Sequence, residues 1–302
     1  MKITVLGCGA LGQIWLNALF KKKHDVQGWL RDSKSSCNVS ICSANKIYKF
    51  QLPANNITHL KNSKLLLVTL KAWQISDAIR ILLPKLRSDC YILLLHNGLG
   101  VKEELPYIRQ PLLIGTTTHA ATLQNKKVHH IYTGSTHIGP VNIKEKSNTI
   151  ISTILDNALP KVIWHDDIMI SSWIKLAANC VINPLSVLYE CCNGKLIQYS
   201  NHIEHICREI AIVMNLKGYQ TNHKSLQLYV EKIINNTKNN ISSMLQDIRA
   251  QRRTEIDYIN GYVIRCAKKY NIDLKENCRL FHMIKNKENT ANLKKNNGFL
   301  KN

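Results

Sequence analysis

In the segment Lys175-Leu176-Ala177-Ala178-Asn179-Cys180-Val181-Ile182-Asn183-Pro184, an amine and two amides recur every fourth residue. On a helix these three side chains fall within roughly 80° of arc and share one face. The residues between them are apolar and suit a core, so the polar stripe needs partners of its own. A functional face carrying one ammonium and two amides is the reading this favours. An ordinary solvated face is the alternative, and the apolar neighbours weigh against it. A second constellation stands at the other end of the chain. Gly7-Cys8-Gly9-Ala10-Leu11-Gly12 has the form GxGxxG, directly after an apolar strand-like block and directly before an amphipathic helix. The three glycines suit a tight turn, backbone approach to a pyrophosphate and close helix–strand packing. The helix start then offers free amide hydrogens to phosphate.

The end of the second strand selects between dinucleotides. An acidic residue there would accept a hydrogen bond from the ribose 2′-hydroxyl. This chain has Trp29-Leu30-Arg31 instead. A guanidinium suits a 2′-phosphate, so NADPH is expected rather than NADH. Asp32 follows and leaves open a surface ion pair for Arg31. Farther along, Ser243 with Gln246 three residues later reads either as a capping box or as a ligand contact. Glu255 reads as a carboxylate near a helix start or as a site residue. Spacing alone does not bring it to Lys175.

These residues need elements to position them. The first half alternates short apolar blocks with amphipathic ones, the rhythm of a parallel sheet flanked by helices. Strands are expected at Ile3 to Leu6, Asp25 to Leu30, Leu65 to Leu70, Tyr91 to Leu95 and Ile114 to His119. Val128 to Tyr132 and Ser135 to Gly139 suggest a hairpin closing the sheet edge. Helices are expected at Leu11 to Lys22 and Gln74 to Leu86. After about Trp164 the period becomes helical, which predicts a dinucleotide-binding domain of Rossmann type over 1–166 and a mainly α-helical substrate domain over 167–302. In that second part, helices are expected at Ile168 to Val181, Pro184 to Tyr189, His202 to Lys217, Ser225 to Asn236, Ser243 to Asp247 leading into Glu255 to Tyr270, and Cys278 to Asn289. The end beyond about Asn286 is expected to fray.

Composition removes other function classes. At 302 residues with 45% hydrophobic content the chain suits two globular domains. No run reaches the roughly 18 apolar residues of a membrane span, and the start lacks the form of a signal peptide, so a cytoplasmic protein without membrane partners is expected. The ten cysteines are scattered and never form CxxC, which favours reduced thiols and no metal. The net charge of +21 would suit nucleic acid, yet Lys, Asn and Ile are enriched together along the whole chain and no basic stripe is interleaved with aromatics. No nucleic-acid partner is expected.

The motifs KITVLGCGALGQ, LLLVTLKAWQ, HNGLG, GTTTHAA, HIGP, KLAANCVINPL, NISSMLQDIRA and TEIDYING together resemble the ketopantoate reductase family, over all but the terminal tail. The resemblance implies NADPH-dependent reduction of ketopantoate to pantoate for pantothenate and coenzyme A synthesis. Another 2-keto or hydroxy acid remains the alternative substrate. It further implies that Lys175 is the catalytic lysine and that Glu255 joins it, contacting bound ligands including the cofactor. Gly7, Cys8, Gly9, Ala10, Leu11, Gly12, Arg31, Lys71, Asn97 and Ala121 would hold NADPH. Asn97, Lys175, Asn179, Asn183, Asn193 and Ser243 would hold ketopantoate. A monomer or weak homodimer is expected.

Overall fold

The computed structural model describes residues 1–43, 46–125, 127–141 and 150–298. They form two compact units: residues 1–96 with 101–171, and residues 97–100 with 172 onward.

The first unit opens with β1 (Lys2–Leu6), α1 (Ala10–Lys21) and β2 (Asp25–Trp29). A hairpin follows, β3 (Ser36–Ser43) and β4 (Lys46–Pro53), and then α2 (Ile57–Lys61), β5 (Leu65–Val68), α3 (Ala72–Leu82), β6 (Tyr91–Leu95) and α4 (Val101–Glu104). The unit continues through β7 (Leu112–Thr117), β8 (Ala120–Gln124), β9 (Lys127–Tyr132), β10 (Thr136–Pro140), α5 (Ile150–Ala158) and β11 (Val162–Trp164). Seven strands build one sheet in the order β11-β10-β7-β6-β5-β1-β2. Its five strands from β7 to β2 are mutually parallel, whereas β10 runs antiparallel to β7. Leu65 to Val68 are all fully buried, as strands covered on both faces must be.

A second, four-stranded sheet in the order β4-β3-β9-β8 packs on the other side of α1. Helix α1 therefore touches both sheets, which explains why Ile14, Trp15, Leu16 and Leu19 are all buried rather than confined to one stripe. The sequence reading missed β3 and β4. Their signal was the alternation Cys37, Val39, Ile41, each buried, with polar residues between. The hairpin expected from Val128 to Gly139 is corrected. β9 pairs with β8 and β3, while β10 belongs to the large sheet beside β7 and β11. Thr133 to Ser135 thus carry the chain from one sheet to the other.

The second unit is helical. It comprises α6 (Ile168–Leu188, whose first residues still count with the first unit), a 3₁₀ turn (Asn193–Tyr199), α7 (Ser200–Leu216), α8 (His223–Asn236) and α9 (Ser243–Arg249). A short 3₁₀ turn (Ile256–Tyr258), α10 (Asn260–Lys268) and α11 (Lys275–Gly298) complete it. Two expectations are corrected here. The helices foreseen on either side of Pro184 are one continuous helix. Proline removes the N–H that would bond the carbonyl four residues earlier, and the Asn260 side chain supplies the substitute, Nδ2 donating to the Cys180 carbonyl at 3.1 Å. The helix foreseen from Glu255 to Tyr270 is broken at Ile259, whose φ of −102° and ψ of −101° are not helical, so Glu255 precedes a 3₁₀ turn. Helix α11 runs on through Gly298, and the final residues 299–302, on which the expectation of a frayed end falls, lie outside the described residues. By length and mean composition helix α6 is also long and apolar enough to cross a membrane, but 67% of its most apolar stretch is buried inside the protein.

Candidate functional site

The first unit positions Gly7 to Gly12 and Lys71 at the carboxyl ends of β1 and β5. The strand order departs in opposite directions from this point, and in open α/β sheets such a switch point is where ligands bind. Gly7 takes φ +93°, and its N–H donates to the Trp29 carbonyl at 3.1 Å, turning the chain out of β1. Gly12 could not be another residue, because a Cβ there would stand 1.9 Å from the Gly7 oxygen. Beside Gly9, by contrast, a Cβ would meet nothing within 4 Å. Gly9 is also the N-cap of α1, which has no side-chain cap and no acidic residue in its first turn. Open space next to uncapped amide hydrogens fits the pyrophosphate of a dinucleotide. The remaining loop residues Cys8, Ala10 and Leu11 pack, with Ala121 of β8, against the same apolar core.

Lys71 lies beside this turn. Thr69 Oγ1 donates to the Gly7 carbonyl at 2.6 Å, joining the β5–α3 connection to the glycine loop, and Lys71 is the N-cap of α3. Its backbone N–H donates to Gln74 Oε1 at 3.2 Å. Arg31 is exposed just past β2. Asp32 pairs with Lys34 at 3.5 Å, and Arg31 has no ion pair among the described residues. The surface-pair reading of Arg31 therefore gains no support.

In the second unit, Asn97, Lys175 and Glu255 converge from three distant points of the chain. Lys175 Nζ approaches Asn97 Oδ1 at 3.5 Å, and Asn97 Nδ2 donates to Glu255 Oε2 at 3.1 Å. Gly98 makes that approach possible. It takes φ +81°, a Cβ on it would come within 2.2 Å of the Tyr258 carbonyl, and the next N–H, of Leu99, donates to that same oxygen at 2.8 Å. The sequence reading named Asn97 but not Gly98, although a glycine directly after a candidate amide is the sort of signal that marks a close backbone approach. The Lys175 side chain keeps some solvent contact yet is embedded in protein, and this desolvation pulls its pKa down from 10.5 to about 8, with the Glu255 carboxylate pulling the other way. Glu255 itself is buried, at 4% exposure.

Farther along α6, Asn179 is half-buried and Asn183 buried, and neither side chain has a hydrogen-bond partner among the described residues. The other two candidates are tied to the end of the same helix. Ser186 Oγ donates to the Asn183 carbonyl at 2.8 Å and meets Ser242 Oγ at 2.6 Å. Asn193 N–H donates to the Asn240 carbonyl at 2.9 Å, which brings its turn to the segment before α9. Asn193 Nδ2 donates to Thr237 Oγ1, while its buried Oδ1 has no partner among the described residues. The cap of α9 is Ser242, whose Oγ accepts from Leu245 N–H at 3.0 Å. The capping reading of Ser243 is thus displaced by one residue, and Ser243 stands exposed at the first helical position.

Comparison with known proteins places this geometry. Two family descriptions match the chain, "Ketopantoate reductase PanE/ApbA" over residues 3–142 and "Ketopantoate reductase PanE/ApbA C terminal" over residues 167–288. The chain is 50% identical over 289 residues to a 2-dehydropantoate 2-reductase of Yersinia pestis, covering 95% of each chain. It is 35% identical to one of Vibrio cholerae, covering 95% of this chain and 98% of that one. Among solved structures, a PanE/ApbA family ketopantoate reductase from Ralstonia eutropha is similar in fold, with a TM-score of 0.86 at 21% identity over 97% of this chain and 100% of that one. D-mandelate dehydrogenase in a ternary structure with NADH and anilino(oxo)acetate is similar to the same degree, with a TM-score of 0.86 at 23% identity and the same coverage. The glycine turn at the switch point, the convergence of Asn97, Lys175 and Glu255, and half-identity over nearly the whole length agree: the chain belongs to the ketopantoate reductase family.

Proposed function

We propose that the protein reduces 2-dehydropantoate to (R)-pantoate with NADPH, the reductive step of pantothenate and coenzyme A synthesis, and that Lys175 is its proton donor. The observation that carries this reading is the Lys175 ammonium, desolvated, set against Asn97 and Glu255, and followed on its own helix by two amides without partners among the described residues. Half-identity to 2-dehydropantoate 2-reductases over 95% of the chain supports the choice of substrate.

NADPH, when bound, would supply the hydride for reduction of the keto acid. Gly7 to Gly12, Lys71 and Ala121 would hold the cofactor, and Arg31 would pair with its 2′-phosphate. Asn179, Asn183, Asn193 and Ser243 hold the hydroxyl and carboxylate of the substrate and fix the direction in which its carbonyl faces. Lys175 Nζ lies against the carbonyl oxygen as negative charge develops there, and its proton passes to that oxygen to complete the alcohol. A pKa near 8 suits this work, since an acid close to the working pH both carries its proton and releases it. Asn97 and Glu255 orient the ammonium. The protein works in the cytoplasm, as a monomer or weak homodimer, without a nucleic-acid or membrane partner.

The test is the fall of NADPH absorbance with purified protein and ketopantoate, with 2-ketoisovalerate as the rival substrate and NADH as the rival cofactor. Ketopantoate and NADPH are expected to be preferred. Arg31→Ala removes charge-assisted hydrogen bonds worth roughly 1.5–3 kcal/mol, so its preference for NADPH over NADH should drop about tenfold or more. Equal rates with both cofactors in the unaltered enzyme would contradict the assignment of Arg31.

A further inference from the structure

The catalytic helix α6 contains a proline between its last candidate amide and its end, and the defect this creates is repaired from elsewhere in the second unit. Pro184 has no N–H, so the Cys180 carbonyl loses its ordinary partner four residues on. Cys180 is fully buried, and water does not reach it. The Asn260 side chain supplies both hydrogens of its amide: one to the Cys180 carbonyl at 3.1 Å, the other to Asn277 Oδ1 at 2.9 Å. Asn260 is fully buried as well. Asn277 is held in turn by Glu209, whose Oε2 accepts from both the Asn277 side chain at 2.8 Å and its backbone N–H at 2.9 Å. A fixed polar chain therefore ends on a carbonyl of α6 that lies between Asn179 and Asn183.

The placement of Asn260 in the sequence matters equally. It is the first residue of α10, five positions after Glu255, and only the 3₁₀ turn and Ile259 separate them. One side chain thus links the segment that carries Glu255 to the helix that carries Lys175. Where a proline leaves a carbonyl bare, the helix can bend to different degrees, and whatever occupies that carbonyl sets the bend. A change of bend between Cys180 and Pro184 changes how Lys175 and Asn179, on one side, are aimed relative to Asn183 on the other.

We propose that Asn260 is a positioning residue of the reaction: by replacing the hydrogen bond that Pro184 removes, it fixes the bend of α6 and so the aim of the Lys175 ammonium. This rests on the assignment of Lys175 above. Displacements of about an ångström at a distance from the chemistry can cost roughly a hundredfold in rate. Asn260→Ala is accordingly expected to lower kcat by about 10- to 100-fold, while the dissociation constant for NADPH, read by quenching of protein fluorescence, stays within about twofold, a change too small to be a lost contact. Asn260→Ser disturbs packing less, cannot span to the carbonyl, and gives the same readout should the alanine variant not fold.

A double-variant cycle separates positioning from mere packing. Pro184→Ala restores an N–H at position 184 that can bond the Cys180 carbonyl directly. In that background, loss of Asn260 should cost kcat no more than about threefold, because the carbonyl no longer depends on it. If Asn260→Ala or Asn260→Ser lowers kcat equally with and without Pro184→Ala, or if neither lowers kcat while Lys175→Ala does, the proposal is overturned. If Lys175→Ala itself leaves kcat unchanged, the fault lies with the assignment of the lysine instead.

Discussion

At the scale of single residues the decisive quantity is the proton on Lys175. Its pKa is pulled down to about 8 by desolvation, and the Glu255 carboxylate limits the fall. With Lys175 proposed as the proton donor, the protonated form is the one required, so activity should be retained below that value and lost as pH rises through it. A profile of kcat/KM against pH is expected to show this descending limb near 8. Glu255→Gln removes the opposing charge, so the limb should move to lower pH, whatever the change in absolute rate. Movement to higher pH would mean that Glu255 does not act on the lysine. The types and spacing of Lys175, Asn179 and Asn183 announce their shared face, and the glycine pattern announces its turn, because both are local. The meeting of Asn97, Lys175 and Glu255 is not local: the amide is 78 residues from the lysine and 158 from the carboxylate. No helical or strand period encodes such a distance, and only the family resemblance anticipated it.

At the scale of elements, the Glu255 turn depends on its neighbours more than on its own hydrogen bonds. Thr254, fully buried, donates its N–H to Glu288 Oε1 of α11 at 2.6 Å, and its Oγ1 accepts from Ile256 N–H at 3.2 Å. Lys285 pairs with both Glu288 and Asp257, at 3.2 and 3.1 Å. Glu288→Ala leaves the Thr254 N–H buried without an acceptor, which should cost roughly 1–3 kcal/mol of stability. The expected sign is a lower urea midpoint with an unchanged slope, and Glu288→Gln, which keeps an acceptor, should lose less. An unchanged midpoint in Glu288→Ala would show that the turn stands without α11. The same dependence explains where element boundaries escaped the sequence. Pro184 reads locally as a stop, yet the helix passes through it, and Asn260, 80 residues away, takes over the bare carbonyl. Val128 to Tyr132 and Ser135 to Gly139 read locally as a hairpin, yet they join different sheets because each finds a partner elsewhere, Val128 facing Ile41 and Leu123, Ile138 facing Gly115. The strands of the large sheet were legible because complete burial writes itself as unbroken apolar runs.

At the scale of the whole molecule, the net charge of +21 stands apart from the chemistry. Acidic side chains are engaged in scattered surface pairs such as Lys2–Asp25, Lys64–Asp89 and Arg208–Glu204, which contribute little stability each. The excess of lysine is spread along the chain, so duplex DNA should bind only at low ionic strength and be released by about 200 mM salt, as for purely nonspecific contacts. Fluorescence anisotropy with a labelled duplex reads this, and submicromolar binding that persists at that salt would contradict it. The proposed function rests instead on one amine, that of Lys175. Turnover of ketopantoate and NADPH by Lys175→Ala, measured beside NADPH affinity, tests this most directly. Removing a proton donor that also stabilises the oxyanion should reduce kcat by roughly 10²- to 10⁴-fold and leave the binding of NADPH within about twofold. Turnover equal to that of the unaltered protein would remove the lysine from the reaction, and the role of proton donor with it.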